Sequence, residues 1–112
     1  MIRTVQDIPS EALDLLALPL PGSLTYDQAR GAVCVWGPAE AALTGETAVD
    51  LGEQQADGRR LFLRACHRHT GAHAYRALQD HAPLCMPCIR DASSCPTGIA
   101  LRRLMRDARL SL

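Results

Sequence analysis

The chain of 112 residues has no lysine and no asparagine, and its rings amount to one tryptophan, one phenylalanine and two tyrosines. With so few large rings, the interior must be built from alanine and leucine, which bury less area per residue. A domain this short hides a modest share of its surface, so a further staple is expected. Long hydrophobic runs are missing as well: nothing approaches ~18 consecutive apolar residues, which argues against a membrane span. The first 22 residues, "MIRTVQDIPSEALDLLALPLPG", carry acids where a secretory signal needs positive charge, and Pro19 breaks the run Leu13–Leu20. The expected location is therefore the cytoplasm.

Net charge is zero but unevenly placed. Residues 1–57 hold nine acids against two arginines, and residues 58–112 hold ten arginines against three acids, a split of −7 and +7. Either an acidic half packs on a basic half, or a basic C-terminal face meets an acidic protein or nucleic acid. The arginines that would form such a face are Arg59, Arg60, Arg102, Arg103, Arg106 and Arg109.

Periodicity gives a coarse architecture. Residues 1–30 are expected to form an acidic arm with a short helix over 10–18, capped by Ser10, and residues 31–112 a metal-binding domain. "AVCVW" at 32–36 and "TAVDLGE" at 47–53 have strand character, with Val49 and Leu51 on one side. "RLFLRA" at 60–65 suits a third strand or a helix start, and "GEQQADGRR" between them suits a loop. The spacing predicts a helix over 70–81 with Ala72, Tyr75, Ala77 and Leu78 as apolar positions, stopped by Pro83. A final helix follows Cys95, with Ile99, Leu101, Leu104, Met105 and Ala108 as its stripe.

Five cysteines and four histidines are the informative residues. "HAPLCMPCIRDASSC", 81–95, places His81, Cys85, Cys88 and Cys95 within fifteen positions. Two sulfurs two residues apart on a tight turn pre-form half of a tetrahedral zinc site, with His81 and Cys95 one element away on either side. The alternatives are buried reduced thiols beside a surface histidine, or disulfides, which a reducing compartment and an odd cysteine count disfavour. A second set, Cys34, Cys66 and His69, has the order of a treble-clef finger: a knuckle, a hairpin, then ligands where a helix begins. Gly37 stands at the knuckle's second ligand position. His67 or His73 would have to complete this site; otherwise it is degenerate, with Cys34 and Cys66 as plain core residues, or Cys66 joins Cys85 and Cys88.

The segments "AVCVWGPAEAALTGETAVDLGE" and "RACHRHTGAHAYRALQDHAPLCMPCIRDASSCPTG" resemble a group of small actinobacterial proteins of the zinc-ribbon kind, over roughly residues 26–109. That resemblance implies a zinc-binding fold and brings no activity with it; Gly37 and His69 stand where its pattern has cysteines. His81-x3-Cys85-x2-Cys88 is also similar to the core of zinc-binding anti-sigma factors, whose metal and thiol state control release of a partner, although the strand-like middle does not suit their helical bundle. Cys66, Cys85, Cys88 and Cys95 loosely resemble the iron–sulfur pattern of WhiB-like regulators, with a last gap one residue longer.

Catalytic patterns are missing. Without lysine there is no Walker A loop or Schiff base. Without asparagine, the residue that HNH nucleases set beside their metal histidine is lacking. No histidine has a glutamate two residues on, as zinc deaminases require. The expectation is a non-enzymatic α+β domain, a zinc-stabilised treble-clef- or zinc-ribbon-like hairpin followed by two helices. It would act as a regulatory or adaptor module on a protein partner, with transcription control as one setting. A metal- or redox-sensing anti-sigma-like regulator and a nucleic-acid-binding zinc finger are the alternatives.

Overall fold

The structure of the protein is a computed structural model that describes residues 8–37, 43–44, 48–56 and 58–110, with side chains as far as Ala108. It is a small α+β chain: helices α1 (Ser10–Leu15) and α2 (Tyr26–Ala29), strands β1 (Ala48–Ala56) and β2 (Arg59–Cys66), then helices α3 (His67–His81), α4 (Met86–Arg90) and α5 (Pro96–Leu110). Among the described residues, no helix is long and apolar enough to cross a membrane. The chain gathers into two compact units, the first built on Leu18–His67, the second on Ile8–Ala17 with Arg68–Leu112. Within the second unit α1 packs on α5.

In the first unit the hairpin is the organising element. β1 and β2 pair antiparallel, from Ala48 opposite Cys66 to Ala56 opposite Arg59. Val49, Leu51, Leu61, Leu63 and Ala65 are buried, while Arg60, Phe62 and Arg64 alternate with them on the exposed side of β2. The ambiguous run at 60–65 is therefore strand. Strand β1 also continues through residues 52–56, where a loop is expected from the two glycines and the polar run; pairing against β2 overrides weak local strand preference. The register slips between Asp50 and Glu53, so Leu51 and Gly52 together face Leu63, a β-bulge. Gly52 adopts φ +93 there, and its N–H donates to Asp50 Oδ1 at 2.8 Å.

"AVCVW" is not a strand. Val33 makes an isolated bridge, and residues 34–37 form a turn closed by Gly37 N–H donating to the Cys34 carbonyl at 2.9 Å. That segment is tied to β2 by Val35 N–H on the Arg64 carbonyl (2.8 Å) and to α2 by Gln28 Nε2 on the Val35 carbonyl (2.9 Å). Helix α2 had a readable signal: Thr25 and Gln28 form a capping box, each side chain satisfying the other's backbone N–H. Gly31 follows it at φ +80, and a Cβ there would collide with the Phe62 carbonyl oxygen. Gly31→Ala is therefore expected to lose about 2 kcal/mol through left-handed strain and that collision, read as a lower denaturant midpoint with an unchanged m-value.

In the second unit, α1 begins at Ser10 itself with Pro9 in the cap position, so Ser10 is not the cap, and the helix ends at Leu15. Ala12 and Leu16 are fully buried, whereas Leu20 is exposed. α3 starts at His67, earlier than the apolar pattern indicates. Its buried face is Thr70, Ala74 and Ala77; Ala72 and Tyr75 face solvent. A stripe of small residues lets helices approach closely: a Cβ on Gly71 would lie 2.8 Å from that of Ala108 on α5. His73 bonds the backbone of Leu16, and burial lowers its pKa, with the charges of Arg76 and His69 acting in the same sense. α5 buries Leu101, Leu104 and Ala108 as its periodicity requires, with Ile99 and Met105 half-buried.

Candidate metal centre

The junctions between α3, α4 and α5 bring His81, Cys85, Cys88 and Cys95 together. α3 ends on His81 because Pro83 enters the following 3-10 turn, Ala82–Leu84. Cys85 then takes an extended conformation and caps α4, and Pro87 in the first turn of that helix fixes the approach of Cys88 one turn on. The return from α4 to α5 is a second 3-10 turn, Ala92–Ser94, held by Asp91. Its Oδ1 accepts from Ser93 N–H (3.1 Å) and Oγ (2.7 Å), and these bonds hold the Asp91 carboxyl below its usual range. Cys95 sits just before Pro96, the first residue of α5.

The ligand atoms of these four residues all lie within 4.8 Å of one another. His81 Nε2 stands 3.4 Å from Cys95 Sγ, and Cys85 Sγ stands 3.7 Å from Cys95 Sγ, far outside bonding distance for a disulfide. A tetrahedral zinc with bonds of about 2.3 Å to sulfur and 2.05 Å to imidazole nitrogen sets a sulfur–sulfur edge of about 3.8 Å and a nitrogen–sulfur edge of about 3.6 Å. Two of the six edges, both at Cys95, fall within about 0.2 Å of those values. The residues fit an ion held tetrahedrally by three sulfurs and one nitrogen, and that donor set, three thiols and one imidazole, is the soft kind that zinc takes. Cys95 is buried and the other three are half-buried.

The electrostatics are uneven across the thiols. Cys95 Sγ occupies an N-cap position and accepts from the N–H of Gly98 at 3.4 Å; with the His81 contact, this brings its pKa down to about 6. Cys88 is pushed up to about 11, by desolvation first and then by its hydrogen bonds with Cys95 and Cys85. Negative charge in the cluster therefore collects on Cys95, at a helix N-terminus whose dipole favours it.

Gly98 touches the cluster, and spacing alone does not find it. A Cβ on it would lie 3.0 Å from Cys88 Sγ, so the position is closed to side chains while its N–H serves Cys95. The signal lies in "CPTG", a proline at the first helical position and a glycine at the third. Gly98→Ala is expected to push the Cys88 sulfur aside and weaken metal binding about tenfold, measured by competition with a chromophoric chelator, because groups behind the ligands are worth about 10–100-fold in affinity.

Of the second sequence set, Cys34 and Cys66 belong to the first unit and His69 to the second. In the first unit, Cys34 is buried, and burial pushes its thiol pKa up; the N–H groups of Cys66 and Trp36 bond its sulfur, with the Cys66 thiol beside it. Gly37 closes the Cys34 turn at φ +79, a left-handed position that explains glycine where a fourth ligand would stand. His69 lies in the first turn of α3 and belongs to the second unit. The His81–Cys95 group is complete at four donors without Cys66.

Of the arginines read as a basic face, Arg59 donates to the Pro21 carbonyl (3.3 Å), and Arg60 pairs with Glu53 while lying over the Phe62 ring. Arg102, Arg103 and Arg106 line one side of α5, and the side chain of Arg109 lies outside the described residues. Comparison with protein families, with curated proteins and with solved structures finds no match to the chain.

Proposed function

We propose that the protein is a small zinc-binding module that works by docking on a protein partner, in a regulatory or adaptor role such as transcription control, and that it is not an enzyme. The observation that carries this reading is the convergence of four donor atoms, of His81, Cys85, Cys88 and Cys95, within 4.8 Å of one another, with the two edges at Cys95 close to those of a tetrahedral zinc site. A four-ligand site leaves no open position for substrate or water, which is the pattern of structural rather than catalytic zinc. Held so, the ion would fix the ends of α3, α4 and α5 against one another. The cytoplasm suits free thiols in this arrangement. The test is elemental analysis of purified protein with metal counted per chain. One zinc per chain, lost in Cys88→Ser, is the expected result; iron, or no metal, would overturn the reading.

A second reading has its own support. Cys95 is the thiol whose environment favours thiolate, and Cys85 and Cys88 beside it are half-buried rather than sealed. With an ion bound, Cys85 and Cys88 would be thiolates too, and thiolates within reach of solvent are the ones that oxidise. A redox- or metal-sensing regulator would release zinc on peroxide treatment, which a zinc-responsive dye reports. Retention of metal under that treatment rejects sensing and leaves the docking role. A nucleic-acid-binding finger draws less support, since Arg60 is engaged by Glu53 and Arg106 lies beside Asp107.

A further inference from the structure

Outside the metal centre, the second unit carries a concavity of about 430 Å³ between the Ala92–Ser94 turn and the first turns of α5. Its lining is Ala92, Ser93, Ile99, Arg102, Arg103 and Arg106. Three arginines thus share the lining with the apolar side chains of Ala92 and Ile99. Arg102 is held in place, its Nη2 donating to the Ala92 carbonyl at 2.6 Å, so its other donors are oriented before any ligand arrives. Two carboxylates stand close by. Asp91 is turned onto Ser93, and Asp107 lies 3.4 Å from Arg106. The balance at the pocket remains positive.

We propose that this pocket docks an acidic segment of a protein partner, a carboxylate side chain flanked by a small apolar one, and that it does so only while the neighbouring metal centre is loaded. This rests on the metal-binding reading above. Arginine forks match carboxylates in bidentate geometry, and the apolar side chains that share the lining suit the residue next to the acid. A single-stranded nucleic acid fits less well, because the lining offers no ring for base stacking.

The dependence on metal follows from how the walls are attached. Ala92 and Ser93 lie on the six-residue stretch between Cys88 and Cys95. Ile99 and Arg102 lie on the helix that Cys95 begins. At Gly98, Cys88 Sγ and the Arg102 guanidinium crowd the same point, 3.0 and 3.2 Å from where a Cβ would sit. An ion gripping Cys88 and Cys95 would therefore fix both walls at once, and its loss would free the loop that carries one of them.

The experiment uses the full chain, zinc-loaded and chelator-treated, with metal content measured on the same samples. The probes are a fluorescent peptide alternating glutamate and leucine, the same peptide with glutamine for glutamate, and a fluorescent random-sequence DNA duplex. Anisotropy is expected to show binding of the acidic peptide to zinc-loaded protein, about tenfold weaker in Arg103→Gln and Arg102→Gln and at least tenfold weaker after chelation. Arg103 is exposed, so its variant tests the charge without disturbing the turn that Arg102 holds. Equal binding of the neutral peptide, indifference to Arg103→Gln, or tighter binding of the duplex overturns the pocket's assignment. A zinc-loaded protein that ignores the acidic peptide overturns the pocket alone. A chain that never carries metal yet binds through the arginines overturns the metal dependence and the reading beneath it.

Discussion

Treatment with a strong chelator is expected to abolish the cooperative thermal transition of residues 68–112, rather than merely lower it by a few degrees. The reason lies in what else holds that unit. Among its described residues, the large side chains that are fully buried are Leu16, Leu101 and Thr70; the remaining interior is Leu104, Cys95, Thr97 and small residues, chiefly alanine. Truncating one such leucine costs about 2–5 kcal/mol, which bounds what a core of this size can supply. A structural zinc contributes about 10–16 kcal/mol of apparent binding free energy at neutral pH in small finger peptides. If an ion occupies the His81–Cys95 centre, its loss outweighs any single packing defect. Hydrogen exchange of the α5 amides, followed with and without chelator, reads the effect directly: protection is expected to collapse from the global value towards that of an isolated helix. Cys95→Ser should reproduce the collapse without chelator. Cys34→Ser, in the other unit, should leave α5 protection unchanged. Full protection of α5 in metal-free protein would remove the basis for an ion-dependent fold.

Some of this architecture could be read directly from the residues. The α5 stripe at Leu101, Leu104 and Ala108 and the alternation of Val49 and Leu51 are periodic signals strong enough to survive into the structure. The four donors of the His81–Cys95 group were legible for a different reason. All lie within fifteen positions, so local stop signals at Pro83, Pro87 and Pro96 suffice to converge them, and no long-range pairing has to be guessed.

What was not legible depended on partners distant in sequence. "AVCVW" has strand composition, yet its backbone closes a turn at Gly37 and lends single hydrogen bonds to Arg64 and Gln28. Glutamines at 54 and 55 are poor strand formers, yet they pair because β2 offers them Leu61 and Arg60. Tyr75 lies exposed because α3 and α5 approach at Gly71 and Ala108, where a ring has no room. Gly98 went unseen because its role is a missing Cβ beside Cys88, a property of distance and not of pattern.

The affinity of the centre for its metal is expected to rise with pH, and at two slopes. Thiols must shed their protons to ligate. Cys88, raised to about 11, is protonated throughout the neutral range, so each ion bound there displaces at least its proton. Between about pH 6 and 11 the apparent affinity should therefore climb at least about tenfold per unit. Below about 6 Cys95 is protonated as well, a second proton must leave, and the slope should steepen to at least about a hundredfold per unit. The metal-free protein has the converse linkage. The folded pKa of Cys95 lies below its ordinary 9.0, so its thiolate contributes stability that is fully present above that value and lost as pH falls through about 6. Cys88 is raised from the same 9.0, so its contribution is present below that value and lost as pH rises through about 11. Competition titrations with a chelator of known proton affinity, run from mildly acid to alkaline pH, measure the two slopes. A flat profile would mean that the group taking the ion is not this set of thiols.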